Sequence, residues 1–339
     1  MTDILDLDPY QAIEAPLPPD GDERLKALLS WAVLSPSPHN TQPWSWSVSG
    51  GVIDLYADYS RQLTVSDPDG RELTIGCGSS LEHLLLRLAQ EDAPFCVTEF
   101  PDDSNPRHLA RVVVGDGARA EPRDDLIAAM ARRRTNRTAY HGDPMDDAAR
   151  SALEEACREF GIDLTWVSGA DTRASLVELI MASDREQMSS KDFRHELSHW
   201  MRPKDSHKDD GMEADLLGQT GVSAYVAPLV VRTFDVGKMQ AAQDEKLPEG
   251  SPDIAELSTT SDDPAVWLAT GRALARVVLT AMAAGRYSAY MNQPCEVPAS
   301  RVKLEGLLGV KHPQLVVRFG LADPVHAALR IPVAQVVRS

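Results

Sequence analysis

The densest concentration of chemically able side chains is the run Ser35-Pro36-Ser37-Pro38-His39-Asn40-Thr41-Gln42-Pro43-Trp44. Prolines at 36, 38 and 43 fix the backbone at short intervals, and hydroxyl, imidazole and carboxamide groups stand between them. A rigid backbone presenting polar groups binds a ligand without a fresh ordering cost. Asn and Gln each donate and accept, which suits a planar heterocycle displaying both kinds of group. The same letters also describe a proline-rich turn beside a packed Trp, and composition does not separate the two readings.

A second concentration is Arg132-Arg133-Arg134-Thr135-Asn136-Arg137. Guanidinium groups around a hydroxyl and a carboxamide are the components of a phosphate cradle, because they make forked, charge-assisted bonds to phosphate oxygens. The competing reading is a set of cations complementing the C-terminal end of the preceding helix. Arg330, inside the apolar Leu329-Arg330-Ile331-Pro332-Val333, reads by itself as a stem packed on the core with its head in water.

Other groups point to weaker chemistry. His195-Glu196-Leu197-Ser198-His199 spells the two-histidine helix face of a zinc hydrolase, with Asp205 and His207 nearby. A zinc site needs a third ligand and a deep pocket around that helix, so no metal ligand is nominated. Cys77, Cys96, Cys157 and Cys295 form no CxxC pair and read as reduced, packed thiols. Gly76-Cys77-Gly78 is too short a fragment to hold a pyrophosphate, and no GxGxxG opens a helix.

These groups need elements to hold them. Periodicity predicts helices over 22–33, 81–88, 122–133, 146–160, 176–187, 193–201 and 264–284. The helix at 81–88 carries Leu81, Leu84, Leu85 and Leu88 and is preceded by the small residues Gly76, Gly78, Ser79 and Ser80. Pro122 suits the first turn of its helix, and Gly161 a C-cap. Extended runs at 46–48 and 52–57 meet at Gly50-Gly51 as a hairpin, and further strands are expected at 95–100, 109–114, 162–167, 227–234 and 315–319. Residues 205–220 and 244–263 are rich in Asp, Gly, Ser and Pro and read as surface loops, which at this length are more often lids than filler.

A chain of 339 residues is expected to divide into two packed units. Its 34 Lys and Arg against 51 Asp and Glu give a net charge of -17, which repels phosphate polymers and anionic lipid, so neither nucleic acid nor membrane is expected as a partner. The N-terminal stretch is acidic and lacks an apolar core, and the apolar stretch Ala273–Ala284 is interrupted by Arg276 and is too short to span a bilayer. Both point to the cytoplasm.

SPSPHNTQPW, followed by DPDGRELTIGCG, RRTNR, DFRHELSHWMR and HPQLVVRFG, resembles the nitroreductase superfamily and, within it, the Acg-like subgroup of NAD(P)H nitroreductases, over nearly the whole chain. The resemblance implies an α+β nitroreductase-like fold, internally duplicated so that one chain mimics the usual homodimer. Residues 1–118 would be a degenerate unit carrying the proline-rich loop. Residues 119–339 would be a second unit carrying the phosphate cradle, with a possible lid at 205–220. Single-unit relatives place the arginine motif first; here it comes second, so one site assembled from complementary remains is expected, with one FMN per chain and a monomer needing no obligate protein partner.

The cofactor-binding residues that the resemblance implies are Pro36, Ser37, Pro38 and Asn40 at the flavin ring, and Arg133, Arg134, Thr135, Arg137 and Arg330 at the phosphate. Ser288 joins them because Gly285-Arg286-Tyr287-Ser288-Ala289-Tyr290 is similar to the family's Gly-Leu-Gly-Thr/Ser-x-Trp loop. Arg286 and Tyr287 replace the family's Leu and Gly, Pro38 replaces a Ser, and either Arg194 or Arg202 would add a basic contact. The implied chemistry is hydride transfer from NAD(P)H, a transient reductant, through FMN to a nitro- or quinone-type small molecule, with no catalytic side chain nominated. The alternative within the same subgroup is FMN storage or sequestration beneath the lid.

Overall fold

The structure is a computed structural model and describes residues 3–203, 206–217, 223–233 and 250–338. Its centre is a pair of long helices, Arg71–Gln90 and Pro264–Ala283, packed against each other between two four-stranded antiparallel sheets. The first helix is nearly all buried and extends a decade before the stretch expected at 81–88. Asp67 caps its start by accepting from the backbone N–H groups of Glu72 and Leu73 at 3.0 and 2.9 Å.

The small residues expected to precede this helix lie inside it, and the reason is its partner. A Cβ on Gly78 would stand 2.1 Å from the Leu268 carbonyl oxygen, and one on Gly271 would stand 2.0 Å from that of Ile75. Glycine costs about 1 kcal/mol relative to Ala in a helix interior. Here it is the residue that lets two backbones touch.

The first sheet runs in the order β1-β2-β4-β3, with β1 Trp44–Ser49, β2 Val52–Ala57, β3 Phe95–Glu99 and β4 His108–Val114. Gly50 and Gly51 turn the β1–β2 hairpin with φ of 60° and 80°, which only glycine adopts freely at both positions. The second sheet runs β5-β8-β10-β9, with β5 Asp163–Trp166, β8 Asp253–Ser258, β9 Tyr287–Tyr290 and β10 Pro313–Gly320. Among the described residues between β5 and β8 lie three helices, Ala170–Ser189, Lys191–Trp200 and Ser223–Thr233, and the short parallel pair β6 Met201–Arg202 and β7 Met212–Glu213.

Four expectations need correction. The region 244–263 is not all loop: β8 is a central strand with all six residues buried. Its acidic letters disguised it, because Asp253 accepts from Met145 N at 2.8 Å and from Arg150 at 2.6 Å, and burial pushes Glu256 up to about 8. The expected strand 227–234 is the end of helix Ser223–Thr233, where Ala227 and Val231, one turn apart, join an apolar cluster with Met201 and Met212; Phe234 lies outside the described residues. Pro122 precedes its helix, which runs Asp124–Arg132. Helix Pro264–Ala283, longer than the apolar stretch read from the sequence, has the length and mean hydropathy (1.3) to cross a membrane, but its Ala273, Val277, Val278 and Ala281 are buried in the core of the second sheet.

Candidate functional site

The proline-rich segment lies between helix Gly21–Ala32 and β1 and holds a backbone that few sequences tolerate. His39, Asn40 and Gln42 have φ of 45°, 54° and 52°, left-handed values that cost non-glycine residues about 1–2 kcal/mol each. The bend is fixed locally by Asn40 N donating to Ser37 O at 3.0 Å and Gln42 N donating to Ser37 Oγ at 2.9 Å. Ser37 and Pro38 rest on Gly76 of the first central helix, where a Cβ would come within 3.4 Å of both. Gln42 accepts from Ile331 N at 2.9 Å, which draws the C-terminal segment and its Arg330 to the loop.

The arginine motif reaches the same place from the other side. Helix Asp124–Arg132 ends at Arg133; Thr135 then bridges Ser288 on β9, and Asn136 N donates to Ser288 O at 3.1 Å. Arg133 Nη2 and Arg330 Nη2 both donate to the Leu34 carbonyl at 3.2 Å, and Arg330 Nη1 donates to Asn40 Oδ1 at 3.0 Å. Arg137 lies beside His39 and reaches Met212 Sδ at 4.0 Å. The structure therefore brings Arg133 and Arg330 together on the Leu34 carbonyl just before Pro36, Ser37 and Pro38, joins Arg330 to Asn40, sets Arg137 beside His39, and bridges Thr135 to Ser288.

The electrostatics of this cluster are one-sided. Every hydrogen-bond acceptor recorded for Arg133, Arg137 and Arg330 is neutral, and among the described residues none of the three is paired with a carboxylate. Burial pulls Arg137 and Arg330 below the usual arginine range, and Arg133 and Arg134 press Arg330 further down. Burial, followed by Arg137, lowers His39 to about 4; burial, followed by Arg133, lowers His83 on the first central helix to about 3. Unpartnered buried atoms accumulate here: Nε of Arg133 and of Arg330, Nδ1 of His39, Oγ of Ser35 and the hydroxyl of Tyr290. Asp8 and Glu213 act on Arg330 only at longer range, and a gathering of cations and unpartnered polar atoms with no hydrogen-bonded carboxylate is costly unless a ligand supplies the missing charge. Phosphate fits that deficit.

Other expected residues are placed differently. Arg134 donates to the Ala131 and Arg133 carbonyls at 2.8 Å and lies 4.8 Å from the Tyr10 ring, so the helix-end reading describes it, although its charge is felt at Arg330. Arg194 donates to Met188 O at 2.6 Å, and Arg202 pairs with Asp210 at 2.6 Å. Glu196 of the HELSH segment accepts from Val65 N, Ser66 N and Ser66 Oγ, which makes that helix a docking element. Tyr287 opens the edge strand β9, with Arg286 immediately before it, where a loop was expected.

The described part of the expected lid, 206–217, touches the loop directly. Gly211 N donates to Asn40 O at 3.1 Å, Asn40 Nδ2 donates back to Gly211 O at 3.0 Å, and Gln42 Nε2 donates to Asp209 O at 2.9 Å. Asp210 accepts from both Arg202 and Arg61, at 2.6 and 2.9 Å. His39, His83, Tyr290 and this 209–211 contact were not among the nominated groups. His39 stood inside the motif, and Tyr290 stands two residues after Ser288, which in a strand is the same face.

No family model matches the chain. A Mycobacterium tuberculosis protein provisionally named NAD(P)H nitroreductase Rv3131 is 30% identical over 321 residues, covering 93% of this chain and 91% of that protein. The chain belongs to the nitroreductase superfamily, in its Acg-like branch. The M. tuberculosis protein provisionally named NAD(P)H nitroreductase acg is 28% identical over 321 residues, covering 92% of this chain and 94% of its own length. A solved structure from Anabaena variabilis, also provisionally named a nitroreductase, matches with a TM-score of 0.51 at 9% identity, over 94% of this chain and 92% of that one. That likeness concerns the fold alone, and it places the chain's two sheets and central helices in an α+β nitroreductase-like architecture.

Proposed function

We propose that this nitroreductase-superfamily chain is an FMN-binding, NAD(P)H-dependent oxidoreductase of the cytoplasm, acting on a nitro- or quinone-type small molecule. The observation that carries the reading is the unpaired cluster of Arg133, Arg137 and Arg330 beside the Pro36–Asn40 loop. Bound here, FMN would supply the hydride and electron chemistry between NAD(P)H and the acceptor. The chain's own residues hold its phosphate through the three guanidiniums and Thr135, and set the ring against Pro36, Ser37, Pro38 and Asn40 beside Ser288. Relatives named for NAD(P)H support the choice of reductant.

The same proposal includes an internal duplication, with units at 1–118 and 119–339. Each half has the succession helix, strand, strand, long helix, strand, strand, and each sheet places its strands in the order first, second, fourth, third, all antiparallel. The long helices also touch reciprocally: Gly78 and Gly271 each stand seven residues after their helix's first, and each faces the carbonyl three residues before the other glycine. Such self-complementary contact is what a two-fold dimer makes between its subunits. The counterpart of the proline-rich loop, ahead of β5, is reduced to residues 159–162. One flavin per chain follows.

A second reading, storage or sequestration of FMN, draws on the paired hydrogen bonds between Gly211 and Asn40, which close the segment 206–217 over the loop. Absorbance and released-flavin assay of gently purified protein test the common part: about one FMN per chain is expected, and a protein without flavin bands that also fails to bind added FMN ends the reading. Anaerobic stopped flow then separates the two versions. Slow bleaching by NADPH that becomes fast when 205–220 is replaced by a short Gly/Ser linker indicates a covered flavin; rapid bleaching of the intact protein indicates an open reductase.

A further inference from the structure

Tyr290 ends β9 two positions after Ser288, so both side chains leave the same face of the sheet. Ser288 marks that face as the edge of the cradle through its bridge to Thr135. The Tyr290 strand position is fixed opposite Val317, and its ring packs on the core of the second sheet. Its hydroxyl is buried and has no hydrogen-bond partner. The charged groups acting on that hydroxyl are Arg133, Arg137 and Arg330. Guanidinium groups offer only donors and cannot take the phenol proton. The hydroxyl therefore lacks an acceptor at the place where three cations lack an anion.

We infer that Tyr290 is a phosphate-binding residue, its hydroxyl donating to a phosphate oxygen of FMN alongside the guanidinium groups of Arg133, Arg137 and Arg330. The inference rests on the proposed flavin site and names a hydroxyl for it that the family pattern does not supply, because the resembled loop carries Trp at this position. A neutral donor suits a site already crowded with positive charge. It adds a hydrogen bond to the anion without adding a fourth cation to repel the other three when the site is empty. It also makes the site read the phosphate more than the ring, so FMN gains from Tyr290 and riboflavin does not.

Tyr290→Phe keeps the ring and removes only the hydroxyl. Full-length wild-type and variant proteins, stripped of flavin, are titrated with inorganic phosphate, FMN and riboflavin, following thermal stabilisation for phosphate and fluorescence for the flavins. The variant should bind phosphate and FMN about two- to tenfold more weakly, the range of one neutral hydrogen bond, with riboflavin affinity unchanged. Circular dichroism and the ligand-free melting temperature check that the ring still packs. Equal phosphate and FMN affinity in the two proteins overturns the assignment. A matching loss for riboflavin also overturns it, since the residue then acts on the ring or on packing. If the wild type binds phosphate more tightly than the variant but takes up no FMN, the flavin reading falls and the role of Tyr290 in holding phosphate stands.

Discussion

The two sides of the crossing between the central helices hold comparable cations in opposite conditions. Aligning Gly78 with Gly271 sets Ser79 and His83 of the first helix opposite Arg272 and Arg276 of the second. Around His83 stand Arg133 and Arg330, with neutral acceptors only. Around Arg272 and Arg276 stand Glu82, which accepts from them at 3.0 and 2.6 Å, and Glu99, which accepts from Arg272 at 2.8 Å; the Phe160 ring lies 4.9 Å from Arg272. One side has charges satisfied by the chain itself and the other has charges left for a ligand. On the proposed duplication, the second side would have given up its site by providing its cations with internal partners instead of deleting them.

The largest expected effect tests the closed side. Glu82 is 1% exposed and holds two guanidiniums, so Glu82→Gln leaves Arg276 facing a neutral amide and Arg272 with Glu99 alone. Breaking a buried pair from one side costs about 3–5 kcal/mol, and the lower end applies because the arginines keep roughly a fifth of their side chains exposed. Urea unfolding should show that loss, while FMN stoichiometry stays at one per chain. A second flavin bound by this variant would mean that the closed side is a blocked site and not a dismantled one.

The open side is tested by Arg133→Ala. Loss of a charged contact to phosphate is worth about 1.5–3 kcal/mol, or roughly ten- to over a hundredfold in FMN dissociation constant. Gln90→Ala, which removes only an exposed bond to Asp124, is the control. Equal fluorescence titrations of the two variants would break the contrast, because the unpaired arginines would then have no ligand to hold.

The hairpin ends give a second contrast. The β1–β2 turn is Gly50-Gly51, while the corresponding β5–β8 connection contains residues 167–252 and the segment over Asn40. Gly211 pins that segment: its φ is +78°, and a Cβ would stand 2.5 Å from the Trp200 carbonyl oxygen. Gly211→Ala should displace the contact with Asn40 and speed anaerobic bleaching of bound flavin by NADPH several-fold, with a smaller effect on FMN affinity. An unchanged rate would remove this contact from any covering role.

How much of this was legible in the sequence follows from what each residue needs. Arg133 and Arg137 stood out because clustered cations in an acidic chain are unusual, Arg330 only through the family resemblance, and the proline-rich loop because its backbone is written in its letters. The α+β class came with the family resemblance, and the periods located most of its helices and strands. The strand β8 was not, because Asp253 and Glu256 become buriable only through Arg150, Met145 and the enclosing core, none of which is local. The start of the helix Arg71–Gln90 was missed for a related reason: Gly76 and Gly78 are poor helix residues whose use appears only when Pro38 and Leu268 arrive. The placing of Arg134 on Tyr10 depends on an N-terminal segment far away in sequence.

The smallest expected effect separates the two sides by pH. His83 is fully buried, its Nδ1 lies 3.2 Å from the Trp31 carbonyl, and burial with Arg133 lowers it to about 3. Its counterpart, Arg276, is already paired with Glu82. A histidine whose folded value is depressed stays neutral in the folded chain while the unfolded chain takes up a proton below about 6.5. The unfolded state then binds more protons, so stability contributed by His83 is present above pH 6.5 and falls as pH drops toward 3. His83→Gln cannot take up that proton in either state. In flavin-free protein, the loss of melting temperature between pH 7.5 and 5 should therefore be smaller in this variant than in wild type, by roughly the few degrees that 1–2 kcal/mol moves a domain of this size. Identical pH slopes would show that His83 is not held neutral in the folded chain by its burial and the neighbouring Arg133, and the open side would lose this signature in the stability of the empty protein.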